Sequence, residues 1–318
     1  MTYLLLLVGL GLLVKGADYF VEGSSGIAAL LKIPPILIGL TIVAFGTSSP
    51  EAAVSIAAAI KGNGDIALGN VIGSNLFNIT FVVGVTAFLN PLKVERETIR
   101  KEIPFTLLAS IVLLVLMADM KLQGFDKNLI TRSDGLILLA FFSIFISYIL
   151  EVAMHSREKD ETNSAEVGKK TMAKNILFTL GGLAAIVFGG DLVVKSSSEI
   201  ALSLGMSQTL VGLTIVAVGT SLPELITSVT AAIKKQSEIA LGNIVGSNIF
   251  NILFILGASA SISPLNVDSK MFTDAVLMII TTVILLYFSK TQSKITKTEG
   301  IILTAAYIAY MIYIIIRN

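Results

Sequence analysis

Two short acidic motifs hold the side chains of this chain that are best suited to chemistry. Residues 46–51 read Gly-Thr-Ser-Ser-Pro-Glu and residues 219–224 read Gly-Thr-Ser-Leu-Pro-Glu, each within an apolar run. On a helix, Thr47 and Glu51 are four residues apart and therefore share a face. Hydroxyl and carboxylate oxygens are the ligands that hard cations prefer. The motifs thus predict a cation site that includes Glu51 and Glu224.

A proline stands directly before each glutamate. Pro50 has no N–H group, and its ring clashes with the carbonyl four residues back, that of Gly46. We expect carbonyls between Ala44 and Thr47 to leave the helical ladder as a result. Irregular backbone at membrane depth is tolerated where it lines a cavity. Hydroxyls, carbonyls and one carboxylate would then face the same point.

A second oxygen-rich motif follows each acidic one. Residues 69–78 read Gly-Asn-Val-Ile-Gly-Ser-Asn-Leu-Phe-Asn, and residues 242–251 are a near copy. The serine and the last asparagine of each copy share a helix face, and the two glycines let helices approach closely. We expect these faces to converge on the site through Ser74, Asn78, Ser247 and Asn251. Four other asparagines fit hydrogen bonds between helices as well as they fit a ligand role: Asn70, Asn75, Asn243 and Asn248.

Both motifs belong to an internal repeat. Residues 39–92 align without a gap to residues 212–265, 173 positions later, and 32 of the 54 positions are identical. An isolated serine or threonine in a membrane helix usually bonds to its own helix, but an intramembrane glutamate is functional by default.

Two carboxylates match one divalent cation or two monovalent ones. An empty site would leave them unneutralised, which couples the release of one ion to the uptake of another.

The composition is that of a membrane protein. Of 318 residues, 54% are hydrophobic and 14% charged, with a mean hydropathy of +0.85, whereas soluble domains have about 25% charged residues. A net charge of +1 gives no reason to expect a nucleic-acid partner. The chain has no cysteine and one histidine, His155, so thiolate metal sites, zinc chemistry and Ser-His catalysis have no basis. An enzyme is therefore not expected.

The apolar runs predict an all-α integral membrane protein with ten transmembrane helices. A polar linker at residues 155–173 separates a first five-helix repeat at 1–154 from a second at 174–318. Because each half has an odd number of helices, the two repeats must be inverted, as in secondary transporters with a midplane site. The expected helices are 2–31, 36–61, 66–90, 103–120, 134–154, 174–204, 209–233, 239–262, 272–288 and 298–316.

Lysine and arginine give this topology an orientation. With the N-terminus outside, the inside segments hold 15 of these residues and the outside segments hold 6. Positive residues accumulate in cytoplasmic loops. We therefore expect a multi-pass protein of the cell membrane with both termini outside and the 155–173 linker in the cytoplasm.

The repeated motifs resemble those of the cation/calcium exchanger superfamily, whose two α-repeats carry GTSxPE and GNxxGSNxxN-like segments. The resemblance covers both repeats and implies an antiporter that extrudes Ca²⁺ against an inward Na⁺ gradient, with these ions and the lipid bilayer as its partners. The Thr-Ser-x-Pro-Glu form resembles the sodium branch, in its compact prokaryotic form. The ligand positions that the resemblance implies are Thr47, Ser48, Glu51, Ser74, Asn78, Thr220, Ser221, Glu224, Ser247 and Asn251, with the carbonyls of Ala44 and Ala217.

Two other functions fit the same residues. In an H⁺/Ca²⁺ antiporter, Glu51 and Glu224 would carry protons, and in a passive cation channel they would form a selectivity site. No cofactor is expected beside the transported ions. The short linker predicts no Ca²⁺-sensing regulatory domain.

Overall fold

The chain folds almost entirely into helices. The computed structural model describes residues 2–122, 124, 126–159, 169–205 and 217–317. The predicted seventh helix falls partly on residues 206–216, outside the described residues. The longer helices are α1 (Thr2–Leu31), α2 (Pro35–Thr47), α3 (Ser49–Ile60), α4 (Gly64–Leu89), α5 (Ile103–Leu116), α6 (Arg132–Lys159), α7 (Lys169–Ser203), α8 (Leu222–Ile233), α9 (Ser237–Ile262), α10 (Ser269–Gln292) and α11 (Lys297–Arg317).

These helices are those of a membrane protein. In the described part of the chain, seven helices are long and apolar enough to span a bilayer, or eight if the α2–α3 pair counts as one span. Two predicted spans fall short of that test: α5 has 14 residues and α8 has 12. The prediction of an all-α membrane protein is confirmed at this level, and the count of ten helices stays a prediction.

The second predicted helix is broken at the motif that contains Pro50. Helices α2 and α3 meet at Ser48 with a bend of 51°. Wide π-helical turns interrupt the regular helix at Gly39–Val43 in α2, at Asn78–Val82 in α4 and at Phe250–Leu256 in α9. Such turns are rare in proteins overall, but those that occur are frequently found at functional sites. Three of the four π-helical turns in the described residues thus lie in the two repeated segments, and the fourth, Thr98–Glu102, directly precedes α5.

Helices α1 and α7 pack together through glycines. A Cβ on Gly9 would lie 2.9 Å from the carbonyl oxygen of Gly189, and a Cβ on Gly16 would lie 2.9 Å from that of Gly182. Because the later glycine of one helix meets the earlier glycine of the other, the two helices run antiparallel. Close backbone approach of this kind requires small residues. The four glycines also match between the two halves of the sequence, since Gly9 and Gly16 lie 173 positions before Gly182 and Gly189.

Helices α4 and α9 form the centre of the molecule. Most of their residues are buried, whereas the outer helices expose many leucine and isoleucine side chains. Two antiparallel pairs of two-residue strands, which the sequence did not predict, join loops of the two halves: Leu92–Lys93 with Lys294–Ile295, and Leu129–Ile130 with Leu265–Asn266. We call the side of the first pair the linker face, since α6 ends there within the predicted 155–173 linker, and the side of the second pair the outer face.

Candidate cation site

The two repeated glutamates lie side by side in the core. Glu51 is the third residue of α3 and Glu224 the third of α8, and both side chains are 0% exposed. Each carboxylate thus stands at the N-terminal end of a helix, where the helix dipole favours negative charge. Neither glutamate faces the lipid.

A serine from each half contacts the glutamate of the other half. Ser48 Oγ donates to Glu224 Oε1 at 2.7 Å, and Ser221 Oγ donates to Glu51 Oε1 at 2.8 Å. Both serines lie immediately before the helix that carries their own glutamate. Because the contacts cross between the halves, they bring the two carboxylates into one site.

Two asparagines position the glutamate helices. Asn70 of α4 donates its amide N–H groups to Ser55 Oγ at 2.9 Å and to the Glu51 carbonyl at 3.4 Å. Asn243 of α9 makes the same two contacts, at the same distances, with Ser228 and the carbonyl of Glu224. The sequence left the roles of Asn70 and Asn243 open, and the structure brings both to the glutamates. Ser55 and Ser228 were missed, although both lie at matching positions of the repeat.

A second group of asparagines joins α4 to α9. Asn251 donates to Ser74 Oγ at 3.2 Å and to Asn75 Oδ1 at 3.1 Å. Asn78 donates to Asn248 Oδ1 at 3.3 Å. The amide nitrogens of Asn78 and Asn251 are therefore occupied by protein contacts, which turns their carbonyl oxygens to other partners. Ser74, Asn78 and Asn251 therefore lie where α4 and α9 contact each other.

Several buried oxygen atoms of this cluster have no hydrogen-bond donor. A buried oxygen without a partner is strongly unfavourable, so a set of them in one place indicates a cation as the missing partner. Carboxylate, amide and hydroxyl oxygens are all ligands suited to Na⁺ or Ca²⁺. The unpartnered atoms are Glu51 Oε2, Glu224 Oε2, Asn78 Oδ1, Asn251 Oδ1, Thr220 Oγ1 and Ser247 Oγ.

The backbone carbonyls differ from the expectation in one respect. Pro50 supplies no N–H to the carbonyl of Gly46, but a backbone N–H at the end of α2 and the Ser49 hydroxyl, at 2.5 Å, donate to it. The Ala44 carbonyl stays in the helical ladder and accepts the Ser48 N–H at 3.0 Å, and the Thr47 hydroxyl also lies 3.4 Å from it. In the other half, Leu222 replaces Ser49 and supplies no hydroxyl. Ala217 opens the short Ala217–Gly219 helix, directly after the residues that are not described.

The site is reached from the outer face. A cavity of about 520 Å³ extends from charged residues at that face, including Asp65 and Arg317, to Ser74 and Thr220. On the opposite side, the repeat counterparts Thr47 and Ser247 are 0% exposed. The two halves of the site therefore differ in access although their sequences are alike.

Comparisons with known proteins show the family to which the chain belongs. The family model for sodium/calcium exchanger proteins matches residues 1–150 and 174–316. The sodium/calcium exchanger MaX1 of Methanosarcina acetivorans is 37% identical over 98% of this chain and 97% of its own length. The inner membrane protein YrbG of Escherichia coli is 32% identical over 96% of this chain and 94% of its own length.

Solved structures show the same fold. The sodium-calcium exchanger NCX_Mj, in crystals soaked with Na⁺ and Sr²⁺, matches with a TM-score of 0.85 and 31% identity over 98% of this chain and 97% of that chain. The family and the structural neighbours are transporters, and the match spans both halves of the chain. The chain is therefore a membrane protein that belongs to the sodium/calcium exchanger family.

Proposed function

We propose that this protein exchanges Na⁺ for Ca²⁺ through one site built from both halves of the chain. The observation that carries the proposal is the crossed pair of serine–glutamate hydrogen bonds, which holds two buried carboxylates together. The proposed ligands are the ten side chains that the resemblance to the exchanger superfamily implies. The carbonyls of Ala44 and Ala217 are proposed as further ligands.

The charge of the site supports exchange of one ion species for the other. Two carboxylates at membrane depth need compensation, because an uncompensated charge there costs at least a few kcal/mol. One Ca²⁺ neutralises both, and so do two Na⁺ ions. If one ion leaves and the other does not replace it, the carboxylates are left uncompensated at a high cost in free energy. The movements of the two ions are therefore coupled.

The proposed topology follows the internal repeat. Residues 1–154 and 174–318 form two five-helix repeats of opposite orientation, ten helices in all, and 155–173 is a cytoplasmic linker. The antiparallel packing of α1 on α7 supports the inversion, because these are the matching first helices of the two halves. In this orientation the outer face lies outside the cell.

The experiment is a gradient exchange in proteoliposomes. We expect radiolabelled Ca²⁺ uptake to require an outward Na⁺ gradient and to persist when the pH gradient is collapsed with a protonophore. Full Ca²⁺ uptake driven by a pH gradient in the absence of Na⁺ would instead identify H⁺/Ca²⁺ exchange. Ca²⁺ movement with no counter-ion would identify a channel, a function that the complete burial of Thr47 and Asn243 on the linker side does not favour.

A further inference from the structure

The two asparagines that hold the glutamate helices make contacts that repeat between the halves. Asn70 and Asn243 each bind a serine hydroxyl and a glutamate carbonyl, with identical distances in the two halves. The match shows that these contacts do not depend on which face of the site is open. A contact that differs between the halves therefore indicates which face of the site is open.

One contact does differ. Thr47 Oγ1 donates to Asn243 Oδ1 at 2.9 Å, and both side chains are 0% exposed. Thr220 and Asn70 are the repeat counterparts of this pair. Thr220 Oγ1 is buried without a hydrogen-bond partner, and both residues line the cavity that opens to the outer face. The threonine–asparagine bond is thus present on the closed side of the site and absent on the open side.

The backbone around the closed pair is tightly packed. A Cβ on Gly246 would lie 2.7 Å from Leu40 Cα, and one on Gly242 would lie 3.0 Å from Gly39 Cα. Through these contacts, α2 packs directly against α9 between the candidate cation site and the linker face. The Thr47–Asn243 bond lies at the inner end of this contact, next to the glutamates.

We propose that a threonine–asparagine hydrogen bond closes whichever side of the site is not open, Thr47 with Asn243 towards the linker face and Thr220 with Asn70 towards the outer face. Asn70 and Asn243 are then positioning residues for exchange, since each holds a glutamate helix in both states and a threonine in only one. The inference rests on the proposed exchange function, because only a transporter needs the two closures to alternate.

The test measures access to one buried reporter position. Val54 lines the outer cavity, and its repeat counterpart Thr227 is 0% exposed. The chain has no cysteine of its own, so Thr227→Cys introduces a unique thiol that reacts when the linker side opens. The rate of modification by a small charged methanethiosulfonate is measured on the purified full-length protein without transported ions.

The two asparagine variants should act in opposite directions on this reporter. A net intramolecular hydrogen bond contributes about 1 kcal/mol, which corresponds to about a fivefold change in the ratio of two states. Asn243→Ala removes the bond that closes the linker side, so Thr227→Cys should react about five times faster. Asn70→Ala removes the bond of the alternative state, so the same thiol should react about five times more slowly.

Two further variants distinguish the loss of one hydrogen bond from a general loss of folded structure. Thr47→Val and Thr220→Val remove only the hydroxyls and should reproduce the increase and the decrease, respectively. The inference is overturned if Asn243→Ala leaves the rate unchanged, or if both asparagine variants raise it, as general loosening would. Because no transport is measured, this result is separate from the Na⁺ and Ca²⁺ gradients that test the proposed function.

Discussion

Replacing either glutamate by glutamine tests whether the two carboxylates share one ion. Glu51→Gln and Glu224→Gln keep the size of the side chain and an oxygen that can accept the hydrogen bond from the serine of the other half. Each substitution removes one of the two charges that compensate a divalent cation. We therefore expect each single variant to lose Ca²⁺ binding and Ca²⁺ exchange.

The magnitude follows from the burial of both groups. Both carboxylates are 0% exposed, and removing one partner of a buried pair of opposite charges, here a carboxylate bound to Ca²⁺, costs about 3–5 kcal/mol. Because 1.4 kcal/mol is a factor of ten, Ca²⁺ affinity should fall by roughly two to four orders of magnitude. A shared ion also makes the effects non-additive, so the double variant should lose much less than the sum of the two single losses.

The assay is equilibrium binding of radiolabelled Ca²⁺ to purified protein, followed by exchange in proteoliposomes. Glu199→Gln is the matched control, because Glu199 is an exposed carboxylate on α7 that accepts a hydrogen bond from the Thr2 hydroxyl, and it should bind and exchange normally. If a single variant kept one Ca²⁺ at the parent affinity, or if the losses in the double variant simply added, the two glutamates would belong to separate sites and the reasoning would fail.

Three further expectations concern the same architecture. Ser48→Ala and Ser221→Ala should each weaken Ca²⁺ binding about tenfold or more, and by similar factors, since hydrogen bonds to charged groups contribute about 1.5–3 kcal/mol; a large difference in binding isotherms would contradict the symmetric crossed contact. Gly189→Ala puts a methyl carbon 2.8 Å from backbone atoms of α1, so it should destabilise the protein by about 1–3 kcal/mol, and an unchanged melting temperature would show that this contact is absent. Cysteines at Lys127 and at Ser164, which lies outside the described residues, should react with impermeant reagents from opposite sides of the membrane, and reaction from the same side would contradict the five-plus-five inversion.

The sequence was most informative where the pattern occurs twice. Glu51, Glu224 and the neighbouring serines could be identified because a carboxylate inside an apolar run is costly and its exact repetition in register has no simple structural reason. The bend before Pro50 was predictable for a local reason, since proline cannot continue the hydrogen-bonded ladder. Membrane insertion followed from composition alone.

Other features depend on the tertiary structure. The crossed bonds of Ser48 and Ser221 join residues more than 160 positions apart, and nothing in either motif specifies that a serine binds the glutamate of the other half. The capture of the Gly46 carbonyl by Ser49 depends on a local rotamer, and it overrode the expectation of a free carbonyl.

The amino-acid sequence by itself determined that two equivalent acidic segments lie within the membrane, because its repeat and its hydropathy are properties of the chain. Only the tertiary structure decided that these equivalent segments are not in equivalent states. Thr47 is closed against Asn243 while Thr220 faces a cavity. The threonine and the asparagine are the same residue types in both repeats, so these residues by themselves do not specify the difference, which arises from how the two halves pack against each other.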